Sequence, residues 1–228
     1  MSVAIAPVAE PTTEKRIPMA YPEFLAWGED TTHAEWVDGE VIVFMPPKIQ
    51  HQFVLAFLHK LLGIYADFLS LGAVLAAPAE MRVYSDGRSR EPDLFFVATE
   101  NSHRLEENRL VGPADLIVEV ISTESLARDR TEKFYEYQEA GVREYWLIDP
   151  RPGRERADFW VLDESGQYQP VPLKNGVYRS TLLTGFWLRA DWLAQNPLPD
   201  SMACFAEIIG LPTDLLDKLR NNLRQNIE

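Results

Sequence analysis

The chain contains one cysteine, Cys204, in 228 residues. A single thiol excludes an intramolecular disulfide framework and any multi-cysteine zinc site, which agrees with a reducing compartment. The plain expectation for it is a small apolar residue of a core or an interface. Basic charge is also scarce: Lys and Arg total 22 against 35 Asp and Glu, a net charge of −13. That balance opposes non-specific attraction to phosphate backbones, so any contact with nucleic acid has to be local. No stretch approaches the roughly 20 apolar residues of a membrane helix, and the N-terminus lacks a basic region followed by an apolar run. We therefore expect a cytoplasmic protein with no membrane attachment. Internal repeats and low-complexity segments are lacking too.

Apolar residues are plentiful, at 46% of the chain, enough for one domain with appendages to bury a sizeable core. Residues 1–18 mix Pro, Thr, Glu and Ala without periodicity and read as a flexible arm. "YPEFLAW" reads as a short helix, and "HAEWV" and "EVIVF" around Asp38-Gly39 as a hairpin. After Pro46-Pro47, residues 49–69 carry apolar residues at three- and four-residue spacing, the pattern of a long amphipathic helix. Strands are expected at "AVLAAPAEMRVY", "DLFFVAT" and "DLIVEVI", with turns at Asp86-Gly87 and Gly112-Pro113. A helix from about Ser125 to Ala140, stopped by Gly141, leads into the strand "EYWLID". Shorter strands follow at "ADFWVLD", "YQPVPL" and "VYRSTLL". This order describes an α/β (α+β) fold, a mixed central sheet flanked by helices.

One strand holds an expensive residue. In "ADLIVEVIS", Glu119 lies among Leu116, Ile117, Val118, Val120 and Ile121, a run without alternation that belongs to a strand buried on both faces. An ionised carboxylate there costs several kcal/mol unless it is paired, hydrogen-bonded or metal-bound. A strand-end Glu facing solvent or bridged to a structural Arg is the ordinary alternative. "REPDLFFV" places Asp93 at the start of the neighbouring strand, and two carboxylates at short range either repel or gather around a divalent cation. On the helix that follows, Asp129, Lys133 and Tyr137 are spaced by four and share one row. Leu126 and Ala140, seven residues either side of Lys133, sit about 20° from it, which turns the lysine row toward the sheet. An Asp129–Lys133 surface pair is the competing reading. Basic residues gather at Arg82, Arg88 and Arg90, and at Arg143, Arg151, Arg154 and Arg156, although such clusters are commonly solvated loops.

These residues carry a resemblance. "EPD" entering a strand, then "VEV", then "RD" with Lys133 and Tyr137, then "GVREYWLIDP", resembles the Uma2 family, also called the domain of unknown function 820. That family is abundant in cyanobacteria and similar in fold to PD-(D/E)XK restriction-type nucleases. The resemblance runs from about Tyr21 through Trp192 and sets the divisions: an arm over 1–18, a nuclease-fold domain over 19–196, and a C-terminal helical extension over 197–228.

In the nuclease pattern, an Asp after Pro and an acid two residues before a Lys hold the metal and polarise the attacking water. Pro92-Asp93 matches the first part and Glu119 the second, but Ile121 stands where the lysine belongs. The resemblance implies that Lys133 replaces it, that Asp93, Glu119 and the Val120 carbonyl hold Mg²⁺ (or Mn²⁺), and that nucleic acid, DNA ahead of RNA, is hydrolysed. It also implies accessory places for Glu35, with Glu40 across the turn as competitor, for His51 and for Tyr137. A lone helical histidine is more commonly a structural hydrogen bonder. The alternative is a catalytically silent nuclease fold serving as a homodimeric binding or regulatory module, with Trp187, Trp192 and the apolar C-terminal stretch in the interface. A glycosidase built on a carboxylate pair is disfavoured by the inward lysine.

Overall fold

The computed structural model describes residues 15–27, 33–44, 47–84, 87–122 and 125–225. Strand β1 (Lys15–Pro18) and helix α1 (Tyr21–Trp27) precede the hairpin of β2 (Ala34–Val37) and β3 (Glu40–Val43). Asp38 and Gly39 take φ of 49° and 89°, the left-handed pair that a tight two-residue turn needs, and Val37 lies opposite Glu40. The long helix α2 (Ile49–Phe68) buries Val54, Leu58, Leu61, Leu62 and Tyr65 along one stripe. It leads to β4 (Gly72–Ala76), β5 (Glu80–Arg82), β6 (Ser89–Arg90), β7 (Leu94–Ala98), β8 (Arg109–Val111) and β9 (Leu116–Val120). Helices α3 (Leu126–Arg130) and α4 (Glu132–Ala140) then cross to β10 (Glu144–Asp149). The remainder is β11 (Arg156–Leu162), β12 (Tyr168–Pro170), β13 (Val177–Arg179), β14 (Trp187–Arg189), α5 (Ser201–Ile208) and α6 (Thr213–Gln225).

The central sheet runs β12-β11-β10-β9-β7-β4. It is mixed: β9 and β10 are parallel, joined by the helical crossover a parallel pair requires, and the other neighbours are antiparallel. Leu94, Phe96, Leu116 and Val118 face α2, whereas Phe95, Val97, Ile117 and Leu147 pack with Tyr137 and Val142 at the end of α4. The strands are thus buried on both faces, which explains their uninterrupted apolar sequences. A second sheet, β1-β3-β2-β6-β5-β8, carries the hairpin, and β13 and β14 form a separate pair. Among the described residues, no helix is long and apolar enough to cross a membrane.

Several elements depart from the sequence pattern. Residues 15–18, expected within the arm, form β1 against β3, because the hairpin leaves an unpaired edge and Ile17 packs beside Phe24 and Val41. The rest of that arm, together with Pro46 and Asp86, lies outside the described residues. "AVLAAPAEMRVY" is two strands in different sheets, divided at Pro78, which has no N–H for a ladder. The expected single helix over Ser125 to Ala140 breaks at Thr131, whose φ and ψ are −126° and −76°. Trp187 and Trp192, expected at a dimer interface, pack against each other in a tilted pair with ring centroids 5.4 Å apart, and Trp192 belongs to the chain's own core. Helix α5 adds Cys204, Phe205 and Ile208 to the same core, so the C-terminal extension starts as part of the domain. In the second basic cluster, Arg151 and Arg156 pair with Asp149 and Asp158 at 2.7 and 2.6 Å.

Candidate active site

Register brings the two carboxylates together. In the β7–β9 pair Leu94 lies opposite Val118, so one residue further along Asp93 comes opposite Glu119. Both alternate onto the face covered by α4. Asp93 Oδ2 accepts the Val120 N–H at 2.7 Å, and His51 Nε2 from the first turn of α2 stands 3.2 Å from the same oxygen. Glu119 Oε1 accepts Lys133 Nζ at 2.8 Å and the Tyr137 hydroxyl at 2.9 Å. Each carboxylate is therefore anchored through one oxygen, and among the described residues its other oxygen has no hydrogen-bond donor.

Lys133 is the hub. It is 3% exposed, and besides Glu119 its ammonium reaches Glu35 Oε1 at 3.0 Å and Asp129 Oδ1 at 3.8 Å. Glu35 is fully buried, and its other oxygen accepts Arg90 at 2.9 Å. Arg90, itself fully buried, also donates to Glu136, as does Arg88, so a continuous ionic chain ties the second sheet to α4. Burial alone would strip Lys133 of its proton, but Glu119, Glu35 and Asp129 outweigh it and hold the ammonium well above the usual lysine range. Burial would likewise raise Glu35, yet Lys133 and Arg90 bring it down to about 2. Lys133 is thus matched to Glu35, and Glu119 is the carboxylate left short of positive charge. Burial pushes Glu119 up to about 8, opposed by Lys133 and reinforced by Asp129 and Asp93. Burial first, then Glu35, pushes Glu91 up to about 7.

These groups line a cleft of about 200 Å³. Glu35, Glu91, Asp93, Glu119 and Asp129 form its acidic side, with Lys48, Arg128 and Lys133 as cations. Val43, Phe44, Pro47 and Leu55 form an apolar wall. His51 Nδ1, Glu91 Oε2 and Asp129 Oδ1 are buried with no hydrogen-bond partner, each a cost on the order of 1 to 3 kcal/mol. An excess of hard oxygen donors with unpartnered atoms among them fits a divalent cation. Among the described residues no three His, Cys, Asp or Glu side chains are gathered to hold one by themselves. A cation between Asp93 and Glu119 would complete its shell with a main-chain oxygen and water, the habit of Mg²⁺.

The structure brings Asp93, Glu119, Lys133, Glu35, His51, Tyr137 and Val120 to one place. Glu40 is elsewhere, paired with Arg16 at 3.3 Å. Arg90 was expected in a solvated cluster and is instead the buried support of Glu35 and Glu136. The sequence signal for that was Glu136, three residues after an inward lysine and so on the same helix face. Asp129 is not an exposed helix pair, being 2% exposed and turned into the cleft.

A family model described as "Uma2: Putative restriction endonuclease" matches residues 21–191. Among solved structures, a crystal structure described as "a putative nuclease belonging to DUF820" from Anabaena variabilis ATCC 29413 is similar, with 16% identity and a TM-score of 0.59. The similarity covers 78% of this chain and 98% of that one, and at this identity it speaks for the fold, a mixed α/β core. No curated protein matches the chain in sequence.

Proposed function

Because the chain belongs to the Uma2 family, we propose that it is a divalent-metal-dependent nuclease hydrolysing phosphodiester bonds in the cleft of Asp93, Glu119 and Lys133. The observation that carries the reading is the convergence of two half-anchored carboxylates and a buried lysine in one cleft. A restriction-type description of the family favours DNA over RNA. Mg²⁺ or Mn²⁺ would supply a water of lowered pKa and positive charge beside the scissile phosphate. Asp93 and Glu119 would hold it through their free oxygens, with the Val120 carbonyl as a further ligand. Lys133 keeps its proton, so it orients the nucleophile and offsets charge developing on the phosphate, and does not act as a base. Glu35 fixes the lysine, while Tyr137 and His51 fix the carboxylates.

Cleavage of labelled oligonucleotides in Mg²⁺ or Mn²⁺ tests this. The wild-type chain is expected to cut, and Asp93→Asn and Glu119→Gln to lose the activity. Intact substrates, or equal cleavage by the variants, overturn the reading. A second reading, a catalytically silent binding module, is favoured by one fact: no ready three-side-chain metal group exists among the described residues. Under either reading we propose a homodimer, now resting on the exposed Leu215 and Leu219 of α6 and not on the tryptophans.

A further inference from the structure

We infer that His33 is a further catalytic residue of the cleft, the proton donor to the sugar oxygen that departs when the phosphodiester breaks, with Glu91 as its positioning partner. This rests on the nuclease reading above and fills a role that the reading leaves open. Hydrolysis breaks the bond from phosphorus to a sugar oxygen, and that oxygen is a poor leaving group until a proton reaches it.

The residues assigned so far do not supply that proton. Lys133 holds its own among Glu119, Glu35 and Asp129, and the Tyr137 hydroxyl is committed to Glu119. His51 is buried with its Nε2 on Asp93. Among the other cleft-lining groups, an arginine never gives up its proton and a lysine is a weak acid at neutral pH. Imidazole is the side chain whose strength as an acid is matched to that pH.

Three observations place His33 for the task. It lines the cleft with its side chain 35% exposed, at the mouth, while Glu119 and Lys133 at the floor are each 3% exposed. Substrate reaching the floor passes it. Its backbone is held in an uncommon state: φ is 48°, the left-handed region, and its carbonyl accepts the Phe44 N–H just after β3 at 3.1 Å. Backbone outliers held in place by their surroundings gather at active sites. Finally, His33 Nδ1 stands 3.7 Å from Glu91 Oε2, a buried carboxylate oxygen with no hydrogen-bond partner.

Catalytic contacts of this kind are often long before substrate binds and tighten in the complex. A carboxylate on Nδ1 fixes the ring and favours the imidazolium, which leaves Nε2, across the ring, for the departing oxygen. Glu91 is fixed in turn, since its N–H donates to Glu35 Oε1 at 3.3 Å. It stands two residues before Asp93, within about 7 Å by the reach of the chain, so a phosphate held at Asp93 and Glu119 lies close to the imidazole paired with Glu91.

The step balances without a further reactant. The oxygen of a water bonds to phosphorus, and its proton passes to solvent. The bond from phosphorus to the sugar oxygen breaks with its electron pair on that oxygen. His33 Nε2 gives its proton there, and the neutral imidazole regains one from solvent.

The test pairs two oligonucleotides of one sequence in Mn²⁺, one natural and one with sulfur replacing the departing oxygen at the bond the wild-type chain cuts, because a thiolate leaves without a proton. His33→Asn suits the left-handed backbone and cannot act as an acid. It should lower kcat on the natural substrate by about 10²-fold or more, the usual worth of a general acid, and on the sulfur substrate by less than about fivefold. Mn²⁺ affinity by calorimetry should not change. His33→Gly, free of backbone constraint, should match His33→Asn, and Glu91→Gln should show the same pattern with a smaller loss. Equal losses on the two substrates, or full activity of His33→Asn and His33→Gly on the natural one, overturn the inference and leave the nuclease reading standing. A wild-type chain that cuts neither substrate overturns both.

Discussion

Glu119 illustrates how one residue sets the behaviour of the whole site. Its folded pKa, about 8, lies above its ordinary 4.5, so the proton it keeps stabilises the metal-free protein fully below pH 4.5, and this contribution is lost as pH rises through about 8. Under the proposed reading, a cation bound to Glu119 has to displace the same proton. Mn²⁺ affinity measured by calorimetry should therefore climb from about pH 5 to about pH 8 and then level off, and a flat or falling profile contradicts the ligand role. Lys133 separates from the ligands by a different signature. Under the proposed mechanism Lys133→Met should lower the cleavage rate by about 10²-fold or more while changing Mn²⁺ affinity much less than Glu119→Gln does, since the lysine would act on the transition state. Equal effects of the two substitutions on affinity would show that Lys133 serves only to hold the ligands. At this scale the site was largely legible in the sequence: a carboxylate within a β-branched run, and a lysine on the apolar row of a helix, each break a local rule that only a partner repairs. The partner of Lys133 that sets its charge balance, Glu35, could be named from a resemblance but not from periodicity.

At the scale of elements, buried ionic and hydrogen-bonded groups decide how sheets and helices meet. Arg90 was not legible because its partners Glu35 and Glu136 are 55 and 46 residues away, and no local pattern distinguishes a buried arginine in a short strand from one on a loop. Arg90→Met takes one of two cationic partners from each of two buried carboxylates, leaving Glu35 with Lys133 and Glu136 with Arg88, and should cost about 3 kcal/mol by urea unfolding. A loss below about 1 kcal/mol would mean that the pair is not what joins β6 to α4. Glu144 plays a comparable part at the start of β10. It is fully buried, yet it accepts from Trp146 Nε1, the Tyr178 hydroxyl, Ser180 Oγ, and the main-chain N–H groups of Thr181 and Leu182. Glu144→Ala should cost about 3 kcal/mol or more, because several donors lose their acceptor together. The strand pattern in "EYWLID" located β10 correctly, but nothing in it shows that Glu144 organises the segment after β13. The breaks at Pro78 and Thr131 divide along the same line: proline marks its own break, whereas Thr131 is a residue type that a helix tolerates and carries no such mark.

For the whole molecule, the apolar strands and amphipathic helices fixed the layered α/β architecture, while assembly depends on surfaces that sequence reads poorly. Of the Phe186 to Trp192 segment, which looked like an interface, Phe186, Leu188 and Trp192 are buried in the chain's own core, while Trp187 is half-buried and Asp191 exposed. Leu215 and Leu219, 44% and 54% exposed one helical turn apart on α6, are among the exposed apolar side chains, with Ile49, Phe53 and Phe68 of α2, that a second copy would cover under the proposed dimer. Sedimentation at micromolar concentration should show a dimer that Leu219→Glu dissociates, and a monomeric wild-type chain would remove the homodimer from the account. The central claim is that the buried carboxylate pair is a metal centre, and anomalous scattering from a crystal soaked in Mn²⁺ tests it most directly. The account predicts a peak between Asp93 and Glu119, within about 2.3 Å of an oxygen from each and beside the Val120 carbonyl, that vanishes in Glu119→Gln. No peak there, with Lys133 still bonded to Glu119 and the cleft filled only by water, would contradict it.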